Sequence, residues 1–184
     1  MSSLSRSEHV RRAALVCHHF IRNYAHYMVG HGHPDLVKKS DFWRSAYGNN
    51  LDVAVLEWCK LFGDEKRGEH YWDRIVSDPQ RFERELFENL DVTSADFANL
   101  ISSMRHYRDK FVAHLDLERV MNLPMLSGPA KEAVGFFHTY LLQNESKDVQ
   151  WGNLVDLRSY EEFCTGEAKV AYDSAWETLR IAEQ

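Results

Sequence analysis

Tyr107-Arg108-Asp109-Lys110-Phe111-Val112-Ala113-His114 closes the amphipathic run whose reading decides the fold. Phe97, Ile101, Met104, Phe111 and Leu115 recur along it at the three-and-four spacing of a helix that buries one face. Thr93, with Asp96 three residues on, forms a variant capping box at its start, so helix is expected over 94–115. Arg108 falls in the middle of the apolar stripe. A guanidinium keeps its charge at every working pH, so a buried one requires an ionic partner, a polar cleft or a bound anion.

Working outward, the rest of the chain reads as helix too, with weak strand signals and only four prolines. Val10, Ala14, Cys17, Ile21, Tyr24 and Met28 form a stripe over 5–29, which Gly30-His31-Gly32-His33-Pro34 is expected to end. Trp43, Tyr47, Leu51, Ala54, Trp58, Leu61 and Phe62 give 41–62 a wide apolar face, with Gly63 as its stop. Residues 64–91 break into short pieces: a brief helix from His70 to Val76, then one started by Asp78-Pro79 and lined by Phe82, Leu86 and Leu90. Gly128-Pro129 opens a further long helix over 129–143. Ser159-Tyr160-Glu161-Glu162 has the look of a capping box for a short helix that Gly166 ends, before a last helix from Glu167. The expectation is an all-α, four-to-five-helix up-and-down bundle in one domain. Residues 64–91 form a short helical insertion across it, and 159–183 add C-terminal helices.

The length of 184 residues suits one packed domain. With 44% apolar and 27% charged residues the composition is that of an ordinary globular protein. No apolar run approaches the roughly 20 residues of a membrane span, and the first residues lack the apolar core of a secretory signal. Cys17, Cys59 and Cys164 are widely spaced and odd in number, which reads as reduced thiols in a cytoplasmic protein. A net charge of −6 argues against coating nucleic acid by bulk electrostatics and leaves room for a small basic cleft.

Arg108 and His114 are the chemically informative pair. An Arg grips phosphate oxygens through forked, charge-assisted hydrogen bonds, and a His exchanges protons near neutral pH. Together they suit metal-independent cleavage of RNA, in which the neighbouring 2′-hydroxyl is the nucleophile and the protein supplies acid–base help and charge stabilisation. On one straight α-helix, residues six apart lie about 9 Å apart along the axis and about 120° apart around it. The two then converge only if the helix ends or kinks near His114, or if a two-fold dimer brings a second copy alongside. Tyr107, Lys110 and His114 share a flank, which makes Tyr107 and Lys110 neighbours of the substrate. Asp109 is placed to orient Arg108, or His114 of a second copy. The competing reading is that Arg108 is neutralised by Glu57 or Asp52 on a neighbouring helix and His114 is a surface residue.

The segment resembles the signature of the HEPN superfamily (higher eukaryotes and prokaryotes nucleotide-binding). In that signature an Arg, usually followed by a polar residue, precedes a His after four to six intervening residues. Arg108, Asp109 and His114 fit. The context from Tyr107 to Leu115-Asp116, and Leu56-Glu57-Trp58-Cys59-Lys60-Leu61-Phe62-Gly63 upstream, resemble the branch named for bacterial abortive-infection proteins. The resemblance spans about 5–143. It implies a helical bundle, usually dimeric, with the Arg and His of both subunits meeting in a cleft. It also implies either a metal-independent endoribonuclease of phage-defence or toxin–antitoxin type, or a non-catalytic module that binds a nucleotide or a protein partner. RNA, a second copy and a cognate antitoxin are the partners implied, with no membrane and no cofactor.

Other features have plainer readings. His31-x-His33, with His26 nearby, has metal-ligand residue types without suitably spaced Cys or carboxylates, and reads as a surface turn. His18-His19 reads as packing on one side and solvent on the other. Arg11-Arg12 and Lys38-Lys39 read as solvated doublets, and the five tryptophans as core or loop anchors before any role in base stacking.

Overall fold

The computed structural model describes residues 4–64, 69–112, 122–145 and 147–182, all in helices and their connections; no strand occurs among them. The helices are α1 (Arg6–His31), α2 (Pro34–Lys39), α3 (Asp41–Phe62), α4 (Trp72–Ile75), α5 (Pro79–Leu90), α6 (Ser94–Tyr107), α7 (Pro129–Asn144) and α8 (Leu157–Ala182). A π-helical turn over Arg108–Val112 continues α6. The protein is an all-α bundle, and among the described residues no helix is long and apolar enough to cross a membrane.

α1 is the central member. Its start is fixed by a capping box in which the Ser5 hydroxyl and the Glu8 carboxylate satisfy each other's backbone N–H groups. Thirteen of its buried residues lie between Val10 and Val29, because the helix meets α3, α7 and α8 on different sides. α1 and α3 form a hairpin, with the Tyr27 and Tyr47 rings stacked at 4.8 Å. α6 runs back along α3, from Phe97 against Trp58 and Phe62 to Tyr107 at Asp52. α7 descends antiparallel to α1, with Lys131 over the Tyr24 ring and Glu145 at Arg6. α8 climbs parallel to α1, from Tyr160 on His18 to Tyr172 on His33. The five long helices thus alternate in direction, as the sequence pattern leads one to expect.

Trp58, Phe62, Phe82, Phe97 and Phe137 form the aromatic centre of the core, and Trp58 Nε1 donates to the Ala130 carbonyl at 3.0 Å. A buried indole N–H without such a partner would cost about 1–3 kcal/mol, so this bond fixes where α7 starts against α3. The short helices α4 and α5 lie against the bundle: Phe82 packs on Phe136, Phe137 and Tyr140 of α7. Asp78 caps α5 by accepting from the Arg81 N–H at 3.0 Å, with Pro79 at the first helical position.

Four expectations are corrected. Residues 34–39 form a helix of their own, opened by Pro34, rather than a plain connector. α1 runs through Gly30 to His31, because Gly30 serves close approach instead of termination: a Cβ there would lie 2.6 Å from Tyr172 Oη and 2.8 Å from a Tyr47 ring carbon. Residues 157–182 are one helix, not two, and its cap is Asp156, which accepts from the Ser159 N–H and hydroxyl. Gly166 is solvent-facing, and the buried face of Cys164, Ala168 and Tyr172 continues across it, outweighing the roughly 1 kcal/mol that a helical glycine costs. Lastly, α6 keeps α-helical hydrogen bonding only to Tyr107 and then widens into the π turn.

Candidate anion-binding corner at the end of the motif helix

The π turn starts at Arg108, at the base of the quoted stretch. π segments are rare and lodge one extra residue per turn, and they recur at functional positions. Its presence removes the straight-helix geometry that set Arg108 and His114 about 120° apart. His114 itself lies outside the described residues, as do Ala113, Leu115 and Asp116.

Tyr107, the last α-helical residue, points into the core. It is buried against the Phe111 ring, and its phenol donates to Asp52 Oδ1 at 2.7 Å. Burial and this bond to a carboxylate both hold its pKa far above the usual phenol range. Tyr107 thus props α6 against α3. Lys110 is half-buried within the π turn.

Arg108 is mostly buried, with its side chain 17% exposed, and meets two carboxylates. Nε donates to Asp109 Oδ1 at 2.8 Å, and Nη1 donates to Asp64 Oδ1. Burial works against its charge, but the hydrogen bonds to Asp109 and Asp64 outweigh that effect and raise its pKa above the ordinary guanidinium value. Neither carboxylate suggested by the sequence is the partner. Asp52 is used by Tyr107, and Glu57 pairs with Lys60 one turn along α3 at 2.9 Å. Asp64 stands 44 positions from Arg108 and just past the end of α3, so helical spacing gave no sign of it.

Gly63 explains how Asp64 arrives there. It ends α3 with its N–H donating to the Cys59 carbonyl at 2.8 Å, and a Cβ would lie 3.2 Å from Cys59 atoms. Gly63 thus carries the helical course of α3 one residue further in the αR conformation, and Asp64 follows it. Burial pushes the Cys59 thiol up to about 12; Arg108 and Arg105 pull it down, and Asp64 and Asp109 push it up. Two arginines and two aspartates thus act through their charges on one buried sulfur. Arg105, one turn before Arg108, is exposed and escaped notice in the sequence because it lies off the apolar stripe.

The remaining histidines divide by environment. His33 sends Nδ1 to the Val29 carbonyl and Nε2 to Asp173, both at 2.9 Å. Both ring nitrogens face acceptors, and the bonds to Val29 and Asp173 raise its pKa. His31 Nδ1 lies 3.3 Å from Tyr47 Oη. His18 and His138 both direct Nε2 at the Leu154 carbonyl, at 3.4 and 2.7 Å. No group of three or more His, Cys, Asp or Glu among the described residues is arranged to hold a metal ion.

Compared with protein-family models, with curated proteins and with solved structures, the chain matches none.

Proposed function

We propose that the chain is a HEPN-type, metal-independent endoribonuclease, acting as a homodimer in phage defence or a toxin–antitoxin pair. Arg108 binds the scissile phosphate, His114 serves as general acid or base, and Asp109 orients Arg108. The product of 2′-hydroxyl attack is a 2′,3′-cyclic phosphate and a 5′-hydroxyl end. The observation that carries this reading is the setting of Arg108. A permanent cation is held mostly buried, at an α-to-π transition, by carboxylates that are themselves a third to half exposed. The two sequence stretches behind the resemblance also meet there: α3 packs against the π turn, and Cys59 feels the Arg108 charge.

A second reading has its own support. Arg108 already has two carboxylates within one chain, which suits a non-catalytic module that binds a nucleotide or a protein partner through the same corner. Mixed RNA incubated in EDTA with wild-type protein, Arg108→Ala and His114→Ala separates the two. The ribonuclease reading expects cleavage that leaves cyclic-phosphate ends and falls at least about a hundredfold in both folded variants. Absence of wild-type cleavage across varied RNAs leaves the binding module. Sedimentation gives an independent check, since a strictly monomeric protein denies the composite site.

A further inference from the structure

Asp64 stands against Arg108 much as a bound anion would. Its carboxylate takes Nη1 of the guanidinium, from a chain segment outside the motif helix, and its side chain is 34% exposed. Asp109 differs: it is the next residue along and travels with Arg108 through any movement of the π turn. With both carboxylates in place, Asp64 and Asp109 offset Arg108 and Arg105, which weakens the pull of these two arginines on a phosphodiester. Without the Asp64 charge, Arg105 and Arg108 face Asp109 alone of these two carboxylates, and their pull on a phosphate rises.

We infer that Asp64 is an internal competitor that occupies the phosphate position at Arg108 and must be displaced when RNA binds. This rests on the reading of Arg108 as the phosphate-binding residue, and it adds regulation of that site. The occupant is a single-stranded RNA phosphate, because a guanidinium edge with a second Arg one turn away fits an oxyanion in a flexible backbone. Displacement exchanges one charge-assisted pair for another, so the penalty on affinity is that of a partly solvated ion pair.

Binding of a short 2′-O-methyl RNA, which lacks the nucleophile, tests this by fluorescence anisotropy without interference from cleavage. Asp64→Asn preserves size and an acceptor for Arg108, and Asp64→Ser is a second neutral variant should the first fold poorly. Each is expected to bind about two- to fivefold tighter than wild type, the range of a partly screened ion pair. Asp64→Glu retains the charge and is expected to bind as wild type. Glu88→Gln removes the same charge from the exposed face of α5 and is also expected to bind as wild type. Unchanged or weaker binding in the neutral variants, with Arg108→Ala binding lost, overturns the competitor role and makes Asp64 a support for Arg108. Wild-type affinity in Arg108→Ala overturns the phosphate assignment as well, and the two failures are thereby told apart.

Discussion

Two Arg–carboxylate clusters in this protein are built with opposite stoichiometry. At the seam of α1 and α7, one carboxylate, Glu145, is 3% exposed and receives Arg6 at 2.6 Å, the Ser77 N–H at 2.5 Å and the Ser77 hydroxyl at 2.7 Å. Arg6 also donates to the Ile75 carbonyl at 2.7 Å, so one cluster fastens α1, the α4–α5 connection and α7. At the end of α6, one guanidinium is shared by two carboxylates that are themselves open to water. A buried carboxylate with surplus donors is a fastener, because removing any partner strands charge away from solvent. A cation whose acceptors are open to water can exchange them, because a released aspartate is simply hydrated. The proposal that Arg108 takes a phosphate draws on this difference.

The largest expected effect sharpens the fastened side of this contrast. His18 and His138 lie on the same α1–α7 seam and donate to one carbonyl, Leu154. Burial, reinforced by the nearby His138, pushes His18 down to about 4, and burial also lowers His138. A folded-state value below the ordinary 6.5 means that the stabilisation is complete above pH 6.5. It is lost as the pH falls from there towards about 4. At about 1.4 kcal/mol per unit, His18 alone sets a loss on the order of 3 kcal/mol, and His26 and His70, lowered by burial too, add in the same direction. His33, with its raised value, contributes in full throughout that acid window and weakens only as the pH rises above 6.5, so it does not mask the effect. Urea midpoints at pH 7 and pH 4.5 measure the loss; a flat profile contradicts a neutral, buried pair.

Next in size is Glu145→Ala, expected to destabilise by about 2 kcal/mol, the worth of hydrogen bonds to a charged group left unmade. Arg108→Ala is expected to cost less than about 1 kcal/mol, since Asp64 and Asp109 can turn to solvent. Denaturant midpoints of the two variants compare the clusters directly. If Arg108→Ala is the more destabilising, the contrast collapses and Arg108 is a structural ion pair.

Much of the architecture was legible because it rests on local periodicity. The stripes over 5–29 and 41–62, the Thr93–Asp96 and Asp78–Pro79 starts, and the core roles of Trp58, Phe62, Phe82 and Phe97 follow from spacing and capping chemistry. Glycine was the main source of error. Gly30 and Gly166 read as stops, yet one is a point of helix contact and the other sits in a continuous helix, because burial on neighbouring helices overrides local propensity. At the candidate site, Arg108 and Asp109 were legible from the stripe and from adjacency. Tyr107 read as a neighbour of the substrate, but its ring had a deeper place to go, against Asp52 and Phe111.

The sequence by itself determined an all-helical chain, an Arg on an apolar seam and a His six residues later, since residue order and helical period carry that information. Only the tertiary structure decided what the Arg meets. Asp64 reaches it from just past the end of α3, and a contact across 44 residues leaves no periodic trace in the chain. The widening of α6 into a π turn at Arg108 likewise left no trace in the periodicity, which continues at helical spacing through that residue.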